Sequence, residues 1–116
     1  MAMTKQEIFD RVARHLLTQK KHAMIDDTCA YRTPDGLKCA IGCLIPDELY
    51  TPKIEGFSVD DGPVIEVLER TGLSCDEFLY ELQTIHDGAA VYFWAKELHT
   101  LASLHGLSHA IIDELS

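Results

Sequence analysis

The sequence predicts a mostly α-helical domain of the α+β class, with about four or five helices and one small β-hairpin around residues 29–40. Apolar residues recur at helical spacing in the first 20 residues and again after residue 60. Residues that cap or end helices stand at the limits of these segments. Between them, the turn sequence Thr-Pro-Asp-Gly at residues 33–36 interrupts the helical pattern.

The size and composition of the chain predict a single domain over residues 1–116. Its 116 residues are 47% hydrophobic and 25% charged, which is ordinary for a globular protein. No apolar run approaches the roughly 20 residues that span a bilayer, and the N-terminus lacks the apolar core of a signal peptide. We therefore expect a cytoplasmic protein with no membrane contact, whose four cysteines are free thiols or metal ligands.

The first helix is expected to run from about Lys5 to about Lys20. Thr4 and Glu7 form a capping-box pattern directly before the apolar-periodic segment. The side chains expected to face the core are those of Ile8, Phe9, Val12, Ala13, Leu16 and Leu17.

The central segment is expected to be a short hairpin followed by tight turns. Cys29–Arg32 and Leu37–Ala40 flank the Pro-Asp-Gly sequence, in which Pro presets φ and Gly accepts positive φ. A helical turn then follows and is stopped by Pro46. Thr51–Val59 is expected to be irregular.

Four helical segments are expected after residue 60. Asp60 or Asp61 caps the first, and Ser74 with Glu77 forms a second capping box. The expected segments run from Pro63 to Gly72, Ser74 to Gly88, Val91 to about Gly106 and Ser108 to Leu115. Their core-facing residues are expected to be Val64, Val67, Leu68, Thr71, Phe78, Leu79, Leu82, Ile85, Val91, Trp94, Leu98, Leu101 and Ala102.

The net charge of −9 is concentrated in the second half of the chain. Residues 1–53 carry eight Lys or Arg and seven Asp or Glu, whereas residues 54–116 carry two and twelve. This acidic half disfavours direct binding to nucleic acid and favours a protein partner with a basic surface. Simple solubility is the plainer explanation of the same charge, and we prefer it. The sequence does not indicate an oligomeric state.

Three cysteines in the central segment raise the alternative of a structural zinc site. Cys29, Cys39 and Cys43, with His22 upstream, could supply thiolate and imidazole ligands. Their spacing is not that of a repeated C-x2-C knuckle, and buried free cysteines commonly pack as small apolar residues. We expect no cofactor, with zinc as the alternative.

A second alternative is a small cysteine-dependent enzyme using Cys39 and His86. Cys39 follows Lys38 and could begin a helical turn, both of which would lower the pKa of its thiol. His86 would act as the base. Asp87 is expected to orient His86 poorly, because adjacent residues do not share a helix face, whereas Gln83 is better placed to contact it.

Charged and aromatic residues of the central segment form a third candidate site. They are expected either to form a structural ion-pair cluster or to bind a small anion between two tyrosines. The candidate binding residues are Tyr31, Arg32, Lys38, Asp47, Tyr50 and Glu55. The chain has no G-x-G-x-x-G, G-x-x-x-x-G-K-[ST], G-x-S-x-G or H-E-x-x-H sequence, so the commonest phosphate-loop and hydrolase signatures are absent.

One set of motifs resembles a group of small uncharacterised proteins from bacteriophages and bacteria. The motifs span residues 29–87, about half the chain, and the group has cysteines at the positions of Cys29 and Cys39 but not of Cys43. They are Cys29-x-Tyr31-Arg32, Gly36-x-Lys38-Cys39-Ala40-x-Gly42, Leu44-Ile45-Pro46-Asp47, Glu55-Gly56 and Leu82-Gln83-x-x-His86-Asp87. The resemblance implies a phage or prophage setting and a shared local structure, and it implies no reaction.

From the absence of an active-site signature and from the phage resemblance, we expect a binding protein rather than an enzyme. The expected function is that of a small accessory protein that binds a host or phage protein, for example to counter a host defence system. If the chain is phage-encoded, its compartment is the host cytoplasm.

Overall fold

The computed structural model describes residues 3–25, 28–73 and 77–115. Within these ranges the chain forms five α-helices and one two-stranded antiparallel sheet. The helices are α1 (Lys5–Gln19), α2 (Gly62–Thr71), α3 (Glu77–Gly88), α4 (Trp94–Leu104) and α5 (Ala110–Leu115), and the strands are β1 (Met24–Ile25) and β2 (Thr28–Cys29). The predicted fold class, mostly helical with a small β-hairpin, is confirmed.

Helix α1 has the predicted cap and the predicted buried stripe. The Glu7 backbone N–H donates to Thr4 Oγ1 at 3.1 Å, and the Thr4 N–H donates to the Glu7 carboxylate at 2.9 Å. The helix ends where Lys20 adopts a left-handed conformation with φ of 53°. Of the predicted stripe, Phe9, Val12, Ala13 and Leu16 are fully buried, and Ile8 and Leu17 are half-buried.

The small sheet lies earlier in the chain than predicted. Met24 pairs with Cys29 and Ile25 pairs with Thr28, whereas the predicted hairpin around residues 29–40 has a single antiparallel bridge between Arg32 and Lys38. The Pro-Asp-Gly turn does form there, and the chain then leaves the extended conformation for a 3-10 turn at Gly42–Leu44. Extended pairing therefore stops after one bridge.

The later helices begin and end close to their predicted limits. Asp61 precedes α2, and Gly72 ends it with φ of 87°. Ser74, part of the second predicted capping box, lies outside the described residues. Gly106 follows α4 with φ of 67°, and the Ser108 hydroxyl accepts from the Ala110 N–H at 3.2 Å at the start of α5.

The central segment is packed into the core between the helices. Helix α1 packs against α4, α5 and the Gly42–Leu44 turn, and α3 packs against α4. Gly42 allows this packing, because a Cβ at its position would lie 2.0 Å from the carbonyl oxygen of Tyr31. Ile41, Leu44, Trp94 and Leu98 are among the fully buried side chains of the core.

No helix in residues 3–25, 28–73 or 77–115 is both long and apolar enough to cross a membrane.

Candidate functional site

His86 is fully buried on α3, and both of its ring nitrogens have partners. The backbone N–H of Ala23 donates to His86 Nε2 at 3.0 Å, and His86 Nδ1 lies 2.7 Å from Asp87 Oδ1. Because a backbone N–H can only donate, Nε2 presents its lone pair and the proton of the neutral ring lies on Nδ1. His86 therefore donates to Asp87 and accepts from Ala23, with no nitrogen left over.

The residue that contacts His86 is Asp87 and not, as the sequence had led us to expect, Gln83. Asp87 orients His86, whereas Gln83 donates to Asp87 Oδ1 at 3.2 Å and accepts from the Ile41 N–H at 3.1 Å. Nδ1 is the ring nitrogen closer to the backbone, so the carboxylate of the next residue can reach it without sharing a helix face. Gln83, His86 and Asp87 thus tie α3 to the first half of the chain.

Cys29 adjoins the same network as a protonated thiol. Burial, followed by the charge of Asp87 and a hydrogen bond to it, raises the pKa of Cys29 to about 11. At neutral pH the side chain is a thiol beside a carboxylate and is a weak nucleophile.

Cys39 and Cys43 are also held as thiols. Burial raises the pKa of each to about 12. The Gly42 N–H donates to Cys39 Sγ at 3.2 Å, and Cys43 donates to the Ala40 carbonyl at 3.0 Å. Among the described residues no hydrogen bond joins Cys39 to His86, whose nitrogens are both engaged. The pair expected for a cysteine-dependent enzyme therefore lacks a free base and a thiolate.

The structure groups Cys29 with His86 and Asp87, whose potential ligand atoms lie within 4.8 Å of one another. In the described ranges the other members of the expected zinc set, Cys39, Cys43 and His22, join no such group. His22 Nε2 instead lies 2.9 Å from the Ala89 carbonyl, to which it donates.

The hydrogen bonds of His86 do not fit a metal at this group. A metal on Nδ1 would leave Nε2 protonated and pointing at the Ala23 N–H, donor against donor. To keep the hydrogen bond from the Ala23 N–H, Nε2 would also have to lose its proton, and the ring would become an imidazolate anion. The group fits a structural hydrogen-bond network better than a zinc site.

Five of the six candidate binding residues of the central segment form one cluster. Glu55 accepts from the backbone N–H groups of Tyr31 and Arg32, at 2.9 and 3.1 Å. Its carboxylate also accepts from the Tyr50 hydroxyl at 2.5 Å.

Arg32 occupies the middle of this cluster, where two of its five N–H donors are engaged and its Nε is buried without a hydrogen-bond partner. Its guanidinium donates to Asp47 at 2.7 Å and to the Ile45 carbonyl at 2.6 Å, and it lies 4.6 Å from the centre of the Tyr50 ring. The pairing of Arg32 with Asp47 fits the structural ion pair that the sequence left open, and the unpaired Nε leaves the anion-binding alternative in place. The sixth residue, Lys38, joins Arg32 through the backbone, but its side chain lines a separate cleft.

Two shallow clefts meet along the outer side of α3. The first, of about 440 Å³, is lined by Phe57, Tyr80 and Asp87 among others, and the second, of about 540 Å³, by Phe93 and Glu97 among others. Thr84 and Gly88 line both clefts. We call Phe57, Tyr80, Thr84, Gly88 and Phe93 the aromatic face.

The aromatic face does not follow from the apolar periodicity of the sequence. Tyr80 carried the available signal, since it stands on α3 outside the apolar stripe of Phe78, Leu79 and Leu82. An aromatic residue on the polar side of an amphipathic helix is an exposed contact surface. Phe57 lies in an irregular segment and Phe93 in a single 3-10 turn before α4, and neither is long enough to give a periodic pattern of exposure.

Comparisons of this chain with family models, with curated proteins and with solved structures give no match.

Proposed function

We propose that this chain is a small phage- or prophage-type accessory protein that acts by binding a host or phage protein through the aromatic face. The partner carries a basic surface. Countering a host defence system is one role of this kind. The proposal places the protein in the cytoplasm, which is that of the host cell if the chain is phage-encoded.

The exposure of three aromatic side chains around the two clefts carries this proposal. Phe57 is 46% exposed, Tyr80 53% and Phe93 44%. Exposure of a large aromatic side chain to water is unfavourable, and burying it in a complex is favourable. Tyr and Trp in particular are enriched among the residues that anchor protein interfaces. Concave surfaces on both sides of Thr84 and Gly88 offer pockets for side chains of a partner.

The charge around the aromatic face favours a basic partner. Helix α3 has no Lys or Arg and carries Glu77, Glu81 and Asp87. Each cleft contains a carboxylate, Asp87 in the first and Glu97 in the second. Like-charged partners would be repelled, and a basic one would be attracted over a Debye length of about 10 Å at moderate salt.

The cysteine-dependent enzyme has less support from the geometry. Its two residues would need a thiolate and a free imidazole nitrogen in contact. Cys39 has a pKa of about 12 because it is buried, and His86 uses both nitrogens for Ala23 and Asp87.

A comparison of tagged baits in extract of the source organism, or of its phage host, tests the proposal. The baits are the wild type, Phe57→Ala, Tyr80→Ala and the matched control Leu104→Ala, which removes an apolar side chain that is 73% exposed outside both clefts. We expect a protein that the wild type and Leu104→Ala recover equally and that Tyr80→Ala recovers about tenfold less. Quantitative mass spectrometry measures the recovery.

Measurement of direct binding to the purified partner then tests whether the aromatic face and its charge are responsible. The candidate partner is purified, and its Kd for each bait is measured at about 0.1 M and about 1 M salt, where the Debye length falls from about 10 to about 3 Å. Weaker binding in high salt and with both aromatic variants supports the proposal. A Kd that does not change with salt, or that is equal for all four baits, contradicts the proposal.

A further inference from the structure

A third cleft, opposite in charge to the first two, lies between α1 and the segment around Lys38. It has a volume of about 570 Å³, and its lining includes Arg11, Arg14, His15, Lys38 and Cys43. It shares no lining residue with the two clefts of the aromatic face. In a chain with a net charge of −9, three cationic side chains around one cleft require an explanation.

The position of Lys38 in this cleft is fixed by α1. His15 Nε2 lies 2.8 Å from the Lys38 carbonyl, which also accepts from the Gln19 amide at 2.9 Å. The Gln19 side-chain oxygen in turn accepts from the Lys38 N–H at 2.9 Å. Three hydrogen bonds thus hold the Lys38 backbone beside the helix and leave its ammonium group available.

The two arginines approach from the same side of the cleft. Arg11 and Arg14 are three residues apart on α1 and therefore share a helix face. Both are exposed, and no ion pair is formed by Arg11, Arg14 or Lys38 within the described residues. The positive charges of Arg11 and Lys38 both act to lower the pKa of the Cys43 thiol, which lines the same cleft.

The remaining groups leave the cleft with a net positive charge. Asp10 is its one acidic lining residue, and its carboxylate already accepts from the Gln6 amide at 2.8 Å. Cys43 stays a thiol, because burial outweighs the two cations and raises its pKa to about 12. Burial also lowers the pKa of His15, which favours the neutral ring. The lining residues alone, three cations and one carboxylate, give a net charge of +2, and the Glu7 carboxylate acts on Arg11 from outside the cleft.

We propose that this cleft binds the dianionic phosphate group of a small phosphate monoester, with Arg11, Arg14 and Lys38 as the ligand-binding residues. Two guanidinium groups offer paired N–H donors that match phosphate oxygens, and an ammonium adds a point charge. A dianion balances the net charge of the cleft. A singly charged carboxylate would leave part of that charge uncompensated. This site is independent of the proposed protein-binding function.

Calorimetric titration of the full chain tests the site with three probes at constant ionic strength. At about pH 8, where phosphate is mostly doubly charged, adenosine monophosphate represents a phosphate monoester, inorganic phosphate represents the free dianion, and sodium acetate represents a monoanion. We expect saturable binding of the first two with a 1:1 ratio and none of acetate. Tighter binding of the monophosphate than of inorganic phosphate indicates that the ester group also contacts the cleft.

Charge-neutralising variants locate the bound anion. Arg14→Gln and Lys38→Gln each remove one phosphate contact and should weaken binding of both phosphate probes about tenfold. Lys53→Gln and Arg70→Gln remove the same charge from exposed positions outside the cleft and should leave binding unchanged. The Lys38 backbone contacts persist in Lys38→Gln, so folding is preserved.

Three results would overturn the site. They are the absence of saturable phosphate binding, equal binding of acetate and phosphate, and equal weakening by the cleft variants and by Lys53→Gln and Arg70→Gln. The last result would show attraction to overall charge rather than to a built site.

Discussion

At the residue scale, His86 connects parts of the chain that are far apart in sequence. It reaches the Ala23 backbone across 63 residues, and its ring stacks on Trp94 with centroids 5.5 Å apart. Such a fully buried imidazole contributes to stability only while both nitrogens are satisfied. His86 therefore stabilises the fold by joining α3 to Ala23 and to Trp94.

His86→Ala should lower the free energy of unfolding by about 3 kcal/mol, because it leaves the buried Ala23 N–H unsatisfied and opens a cavity beside Trp94. Urea denaturation followed by far-UV circular dichroism measures this change. The matched control is His99→Ala on the exposed side of α4, for which we expect a change of no more than about 0.5 kcal/mol. Similar losses for the two variants would argue against a special role of His86.

Cys29 provides a second test, because its pKa reports the charge of Asp87. At a pH below its pKa of about 11, the thiolate fraction of Cys29 rises tenfold per pH unit, and so should its rate of alkylation. Asp87→Asn removes the negative charge that helps to raise this pKa. The variant should therefore be alkylated faster than the wild type at pH 8.

Peptide-level mass spectrometry resolves Cys29 from the other cysteines in this experiment. Glu69→Gln, on the exposed surface of α2, serves as the charge-matched control and should leave the rate unchanged. Unaltered labelling of Cys29 in Asp87→Asn would contradict the assigned contact. Rapid, selective labelling of wild-type Cys39 at pH 7 would instead support the enzyme hypothesis.

At the element scale, the helices were predictable because their determinants are local. The Thr4–Glu7 capping box and Gly72 act within a few residues, and apolar periodicity identified the buried side of α1. The sheet position and the network of His86 depend on contacts between distant segments, such as Gln83 with Ile41. A single sequence contains no local signal for such pairings.

Gly42→Ala should be strongly destabilising, because the new Cβ would lie 2.0 Å from the Tyr31 carbonyl oxygen, a backbone atom that cannot move aside. We expect a loss of at least about 3 kcal/mol, or failure to fold. Gly88→Ala is the matched control, because no atom lies within 4 Å of its added Cβ and its φ is not positive. Thermal unfolding of both variants measures the difference.

The control also has a predicted sign. Alanine at position 88, the last residue of α3, removes backbone freedom from the unfolded chain and should raise the free energy of unfolding by less than about 1 kcal/mol. Comparable losses for Gly42→Ala and Gly88→Ala would show that the close approach of residues 31 and 42 does not control the packing of the central segment.

At the scale of the whole molecule, the chain separates its charges between two surfaces. The cleft beside α1 collects Arg11, Arg14 and Lys38, whereas the clefts along α3 contain Asp87 and Glu97. Folding preserves the asymmetry that the sequence shows between residues 1–53 and 54–116. The two proposed sites, one for a protein partner and one for a phosphate group, therefore lie on different regions of one small domain.

This separation predicts that charge and aromatic contacts act on different rate constants of partner binding. Asp60→Asn and Glu97→Gln remove exposed acidic charges in the acidic half of the chain and should lower the association rate severalfold, because long-range attraction steers the encounter. Phe57→Ala and Tyr80→Ala should mainly raise the dissociation rate, by about tenfold or more, because they remove contacts made only in the complex. Surface plasmon resonance with the purified partner measures both rates. High salt should reduce the wild-type association rate to that of the charge variants, and a partner whose association rate is independent of salt would show that the acidic half serves solubility alone.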